Sequence, residues 1–121
     1  EIPVYGKGLN IREWIHVDDH CAGILAASTA DAEDKVFNIG SGVEVSNIEL
    51  VNMVLDIIGE SAILIKYVED RLGHDFRYAM NSDKLRNATG WKPTYDTENF
   101  INGLELTVKW YRAKAEDDLR G

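Results

Sequence analysis

Residues 46–59 read SNIELVNMVLDIIG. Ser46, followed three positions later by Glu49, is a capping box, in which each side chain satisfies a free backbone N–H of the first helical turn. Ile48, Val51, Leu55 and Ile58 recur at helical spacing, and Gly59 can supply the left-handed residue that closes a helix. The pattern predicts a helix from Ser46 to Gly59. Before it, Val36-Phe37-Asn38-Ile39-Gly40 reads as a short strand ended by glycine, and after it Ile63-Leu64-Ile65-Lys66-Tyr67-Val68 reads as another. Residues 2–15 look extended, with a turn at Gly6-Lys7-Gly8. Asp18 can cap a helix running to about Ser28, with Cys21, Ile24, Leu25 and Ala27 in its apolar set. Asn81 or Ser82 can start a short helix ending at Gly90. Asp96 or Thr97 can start the last helix, with Ile101, Leu104, Val108 and Tyr111 on one face. The tail 115–121 is polar and expected to fray. Loose alternation of helices and strands gives an α/β class, or mixed α+β for this chain taken alone.

The composition fits one domain or part of one, with 121 residues, 45% hydrophobic and 28% charged. A net charge of −8 argues against nucleic-acid polymers and anionic membranes as partners. No run approaches the roughly 20 apolar residues of a membrane span, and the first residues lack a signal-peptide pattern. The chain opens at Glu1-Ile2-Pro3 without an initiator methionine, so a processed or excised piece of a longer protein is expected. Cys21, the single cysteine, cannot form an internal disulfide, which suits a reducing cytoplasmic setting. Its apolar helical context reads as a small buried hydrophobe rather than a nucleophile.

Against that acidity, residues 71–78 read RLGHDFRY. Arg71 and Arg77 each carry a planar fork of donors that matches phosphate oxygens. The segment is either a site for a small anionic ligand or a polar surface turn with local ion pairs. Gly40-Ser41-Gly42 stands between a strand and a helix, as a phosphate loop would. However, Val45 occupies the third glycine position of a dinucleotide fingerprint, and no acidic residue ends a second strand about 20 positions on. His16 and His20 are four apart around Asp18 and Asp19, but no third histidine or cysteine pair completes a metal site. No serine sits in a nucleophile elbow, and no tyrosine is followed four positions later by lysine. No catalytic residue is therefore assigned. Asn47 is either the helix cap itself or, with Ser46 as cap, a first-turn residue free to hydrogen-bond a ligand at the positive helix end. Arg12 is either a ligand contact or a surface partner of Glu13.

These pieces converge on one family. PVYGKGLNIREWIHVDDH at 3–20, FNIGSG at 37–42, SN at 46–47, RLGHDFRYAMNSDKL at 71–85 and GWKP at 90–93 together resemble the C-terminal part of the dTDP-glucose 4,6-dehydratases. That family belongs to the extended short-chain dehydrogenases/reductases. The YGKG, IREW, HVDD and GWKP elements are shared with nucleotide-sugar epimerases, whereas R-x-GHD-x-RY is the more specific signal. The resemblance implies the substrate-binding portion of a Rossmann-type enzyme, spanning 1–121, with strand 36–40 joining the sheet of an N-terminal part. That part would hold NAD, the Tyr-Lys pair and the acids for water elimination. In the full-length enzyme NAD would take hydride from sugar C4, water would leave across C5–C6, and hydride would return at C6. By the same resemblance, Pro3, Val4 and Tyr5 would line the nucleotide, and Arg12 would bind the diphosphate. Asn47 would bond near the ribose and phosphate. Arg71, Leu72, Gly73, His74 and Asp75 would close over the nucleotide sugar. A homodimer is implied for the full-length enzyme. Leu72 departs from the proline usual after that arginine, Gly40-Ser41-Gly42 from a triple glycine, and Asn81 from aspartate. The alternatives are a nucleotide-sugar 4-epimerase or a non-catalytic nucleotide-sugar-binding module.

Overall fold

The fold is described from a computed structural model, in which residues 1–120 are placed. Strand β1 (Ile2–Tyr5) runs into the turn at Gly6-Lys7-Gly8 and then β2 (Ile11–Glu13). Helix α1 (Val17–Thr29) follows, then β3 (Glu44–Ser46), helix α2 (Asn47–Ile58), a 3-10 turn (Ala62–Leu64) and β4 (Ile65–Val68). Helices α3 (Asp83–Thr89) and α4 (Phe100–Arg120) complete the chain. β1 pairs in parallel with β4, in register Ile2↔Ile65 to Tyr5↔Val68. β2 pairs antiparallel with β3, Arg12 opposite Val45.

The capping box forms as its sequence requires. Ser46 Oγ accepts from Glu49 N–H at 3.3 Å, and Glu49 Oε2 accepts from Ser46 N–H at 3.0 Å. Gly59 ends α2 in the left-handed conformation. Asn47 is thus the first helical residue and not the cap. Its N–H donates to Asn10 O at 3.0 Å, which ties the start of α2 to the approach to β2. The turn at Gly8 is pressed against the same place. A Cβ there would stand 2.7 Å from Val4 Cγ1 and 2.9 Å from Ile48 Cβ, so only glycine lets α2 close over β1. Val4 and Leu55 are buried on either side of this contact, and Leu85 and Trp91 anchor the packing of α3 near α1.

Several expectations are corrected. α1 is capped by His16, whose Nδ1 accepts from Asp18 N–H at 3.2 Å, rather than by Asp18. Asp19 is instead buried and its carboxylate accepts from Thr94 and Tyr95 N–H at 2.8 and 2.9 Å. The inward stripe of α1 is Asp19 and Gly23, continued by Ala30 just past its end. Cys21, Ile24 and Leu25 therefore face outward, and Cys21 is exposed rather than buried. Residues 36–40 form no strand, because no segment among the described residues pairs with them. Gly40 N–H goes instead to Ser82 Oγ at 2.7 Å. The first residues of the segment expected as a strand at 63–68 tighten into the 3-10 turn, leaving Ile65–Val68 as β4. α4 starts at Phe100, since Asp96 Oδ1 draws Glu98 and Asn99 N–H into a separate turn at 3.1 and 3.3 Å. The tail is helical through Arg120 and carries two i,i+4 ion pairs, Lys114–Asp118 and Glu116–Arg120.

Candidate functional site

The segment 71–78 is docked along β2 by the backbone. Ile11 N–H donates to Phe76 O at 2.7 Å, and Tyr78 N–H donates to Ile11 O at 3.1 Å. Asn10, buried, adds a side-chain bond from Nδ2 to Asp75 O at 3.1 Å. Residues far apart in sequence are thereby brought together in one cleft of about 310 Å³, lined by Arg12, Arg71, Leu72, Gly73, His74, Asp75 and Tyr78.

Arg12 enters from β2. Its Nη1 donates to Ile11 O at 2.7 Å, its Nη2 to Asp75 O at 3.0 Å, and its guanidinium carbon lies 4.7 Å over the Tyr78 ring. Two of its five N–H donors thus meet neutral carbonyls, and the others stay available. It does not pair with Glu13, whose carboxylate accepts from Gly42 and Met80 N–H, both at 2.7 Å. That bond also fills the mouth of the Gly40-Ser41-Gly42 loop, so a glutamate sits where a phosphate loop would place an anion. Arg71 lines the same cleft, its guanidinium carbon 5.2 Å over the Tyr5 ring. Neither Arg12 nor Arg71 has a carboxylate partner among the described residues.

Arg77 is different. It forms a bidentate pair with Glu44 of β3, at 2.5 and 2.6 Å, and each partner favours the other's charged form. Arg77 is thus a clip that holds the segment to the β2·β3 ribbon, not a free cation.

The turn that carries Arg71 is built from Asp70. Its Oδ1 accepts from Arg71 N–H at 2.8 Å and from the His74 ring Nδ1 at 2.7 Å. An ionised carboxylate can only accept, so His74 donates through Nδ1. The His74 bond, followed by the Arg71 amide, holds the Asp70 carboxyl below its ordinary value. His74 N–H closes the turn onto Arg71 O at 3.2 Å, with Gly73 left-handed at φ +69. The His74 side chain is only 4% exposed and meets Tyr5 edge-on at 6.2 Å between centroids. Asp75 accepts from the Tyr78 hydroxyl, which raises the phenol pKa.

Arg12 and residues 71–75 therefore share the cleft wall, and Tyr5 joins them through Arg71 and His74. Pro3, Val4 and Asn47 do not line it. Val4 is packed in the interior, and Asn47 sits at the first turn of α2. The sequence reading missed Asn10, Glu13, Glu44, Asp70 and Tyr78. Tyr78 lies within RLGHDFRY and Asp70 directly before it, acting on Arg71 and His74, whereas Asn10, Glu13 and Glu44 act on partners 29 to 67 positions away. No group of three or more His, Cys, Asp or Glu is gathered for a metal among the described residues, and no helix is long and apolar enough to cross a membrane.

The architecture is that of the C-terminal portion of Rossmann-type extended short-chain dehydrogenases/reductases. The chain belongs to the GDP-mannose 4,6 dehydratase family, whose model matches residues 1–104. Within that setting it is 46% identical over 110 residues to a dTDP-glucose 4,6-dehydratase of Streptomyces griseus, covering 91% of this chain and 33% of that one. It superposes on the dTDP-glucose 4,6-dehydratase of Bacillus anthracis, solved in complex with NAD, with TM-score 0.82 and 41% identity, covering 94% of this chain and 35% of that chain. The UDP-glucose 4-epimerase of Thermotoga maritima, solved with UDP-glucose, matches with TM-score 0.83 at 28% identity, covering 95% and 36%. The chain thus spans about a third of the length of the curated relatives it matches.

Proposed function

We propose that this chain is the nucleotide-sugar-binding part of a dTDP-glucose 4,6-dehydratase, an NAD-dependent lyase that makes dTDP-4-keto-6-deoxyglucose and water. The observation that carries the reading is the pair of guanidinium groups, Arg12 and Arg71, lining one cleft with neither in a salt bridge among the described residues. Two forked cations left without a salt bridge suit the paired phosphates of a nucleotide diphosphate. His74 and Asp75 beside them offer donors and acceptors suited to sugar hydroxyls. Tyr5, with Pro3 on the same strand face, would flank the nucleotide, and Asn47 would reach it from the start of α2.

NAD and the catalytic groups belong, on this reading, to an N-terminal Rossmann part. Segment 36–40 would pair with that part's sheet and α1 would pack on it. Val36, 76% exposed, and the outward Val17, Ile24 and Leu25 supply the apolar surface for that contact. The setting is a cytoplasmic homodimer, with no nucleic-acid or membrane partner. A nucleotide-sugar 4-epimerase is the second reading, favoured by the equal fold match to one. The test incubates the full gene product with NAD and dTDP-glucose and identifies the product. A 4-keto-6-deoxy sugar is expected; a 4-epimer would support the second reading, and turnover of neither would overturn both.

A further inference from the structure

We propose that Tyr78 is a positioning residue for Arg12: its ring forms the floor on which the guanidinium is held toward the cleft. Arg12 is fixed on two edges by Ile11 O and Asp75 O, at 2.7 and 3.0 Å. These bonds use two donors and leave the group free to swing out of its plane. The Tyr78 ring, 4.7 Å from the guanidinium carbon, closes that direction. A ring face attracts the cation without neutralising it, unlike a carboxylate.

Tyr78 is held by bonds of its own to the same two residues, Ile11 and Asp75, that fix Arg12. Tyr78 N–H donates to Ile11 O at 3.1 Å, and its hydroxyl donates to the Asp75 carboxylate. The preceding residue, Arg77, grips Glu44 at 2.5 and 2.6 Å. Tyr78 therefore arrives prebuilt, and its ring acts on the anion through Arg12. The Arg71 guanidinium over Tyr5, at 5.2 Å, repeats the same device in this cleft. This inference rests on the anion-binding reading of the cleft.

The test is a double-mutant cycle read by titration of dTDP into the full gene product at fixed salt. Tyr78→Leu is expected to weaken binding about three- to tenfold, the range of a partly desolvated cation–ring contact. Tyr78→Phe, which keeps the ring, is expected to bind within about twofold of the parent, since the hydroxyl bond it loses, to the Asp75 carboxylate, is exposed to solvent. In an Arg12→Ala background, Tyr78→Leu is expected to cause no further loss. Equal losses from Tyr78→Leu with and without Arg12 would overturn the proposal, as would a loss in Tyr78→Phe matching that in Tyr78→Leu. A parent-like Arg12→Ala would instead remove the anion reading itself, and this proposal with it.

Discussion

At the scale of the residue, three arginines near one loop have different fates, and their partners decide which. Arg77 meets Glu44, whereas Arg12 meets a tyrosine ring and two backbone carbonyls, and Arg71 a tyrosine ring. Arg71→Lys should recover only part of the binding lost in Arg71→Ala, because an ammonium lacks the planar fork; titration of dTDP into both variants measures the difference. Leu72 is fully exposed at the second position of a turn whose third residue, Gly73, is left-handed and whose ends bond at 3.2 Å. That geometry favours proline at Leu72. Leu72→Pro should stabilise the protein by about 0.4–1 kcal/mol, by restricting the unfolded chain, and leave dTDP affinity intact or slightly tighter. Denaturant titration reads the first effect, and a loss of stability would show that the turn is built otherwise. RLGHDFRY pointed to an anion site, but its sequence could not separate Arg77 from Arg71. The deciding residue, Glu44, lies 33 positions away.

At the scale of the element, α2 was legible because its signals are local. A capping box and a left-handed glycine act within a few residues of themselves. Ser46→Ala should therefore destabilise the fold by about 0.5–2 kcal/mol, measured by the denaturant midpoint. The ribbon of β2, β3 and segment 76–78 was not legible, because Asn10, Glu13 and Glu44 act across long sequence separations. Its clip has a pH signature. Arg77 lowers the Glu44 pKa from an ordinary 4.5. A lowered folded-state value contributes stability that is present above the unfolded pKa and fades as pH falls through the folded one. Glu44→Gln should then melt below the parent at neutral pH, and the gap should narrow as the pH falls below the ordinary carboxylate value. A gap that persists unchanged in acid would exclude the ion pair as its source. Segment 36–40 shows a different limit. Its β-pattern is genuine sequence information, but a strand needs a partner, and none is present among the described residues.

At the scale of the whole molecule, the outward apolar residues of α1 and Val36 of the unpaired segment 36–40 are exposed, and on the proposed reading an N-terminal part would cover them. The 121-residue chain alone should therefore be weakly stable or self-associating, and sedimentation across a concentration series would register it. A cooperatively folded, strictly monomeric chain at high concentration would count against the open-face reading. Mixed with NAD and dTDP-glucose, the same chain should form no 4-keto sugar, since its sequence carries neither a dinucleotide fingerprint nor a tyrosine followed four positions later by lysine. The central claim is that Arg12 and Arg71 together hold a diphosphate. The most direct measurement compares dTDP with thymidine by titration into the full gene product and its Arg12→Ala and Arg71→Ala variants. Charge-assisted contacts of about 1.5–3 kcal/mol predict a roughly ten- to hundredfold loss for dTDP in each variant. Thymidine, which lacks the phosphates, should bind all three proteins alike. Parent-like binding of dTDP by both variants would contradict the account and leave the cleft a solvated turn.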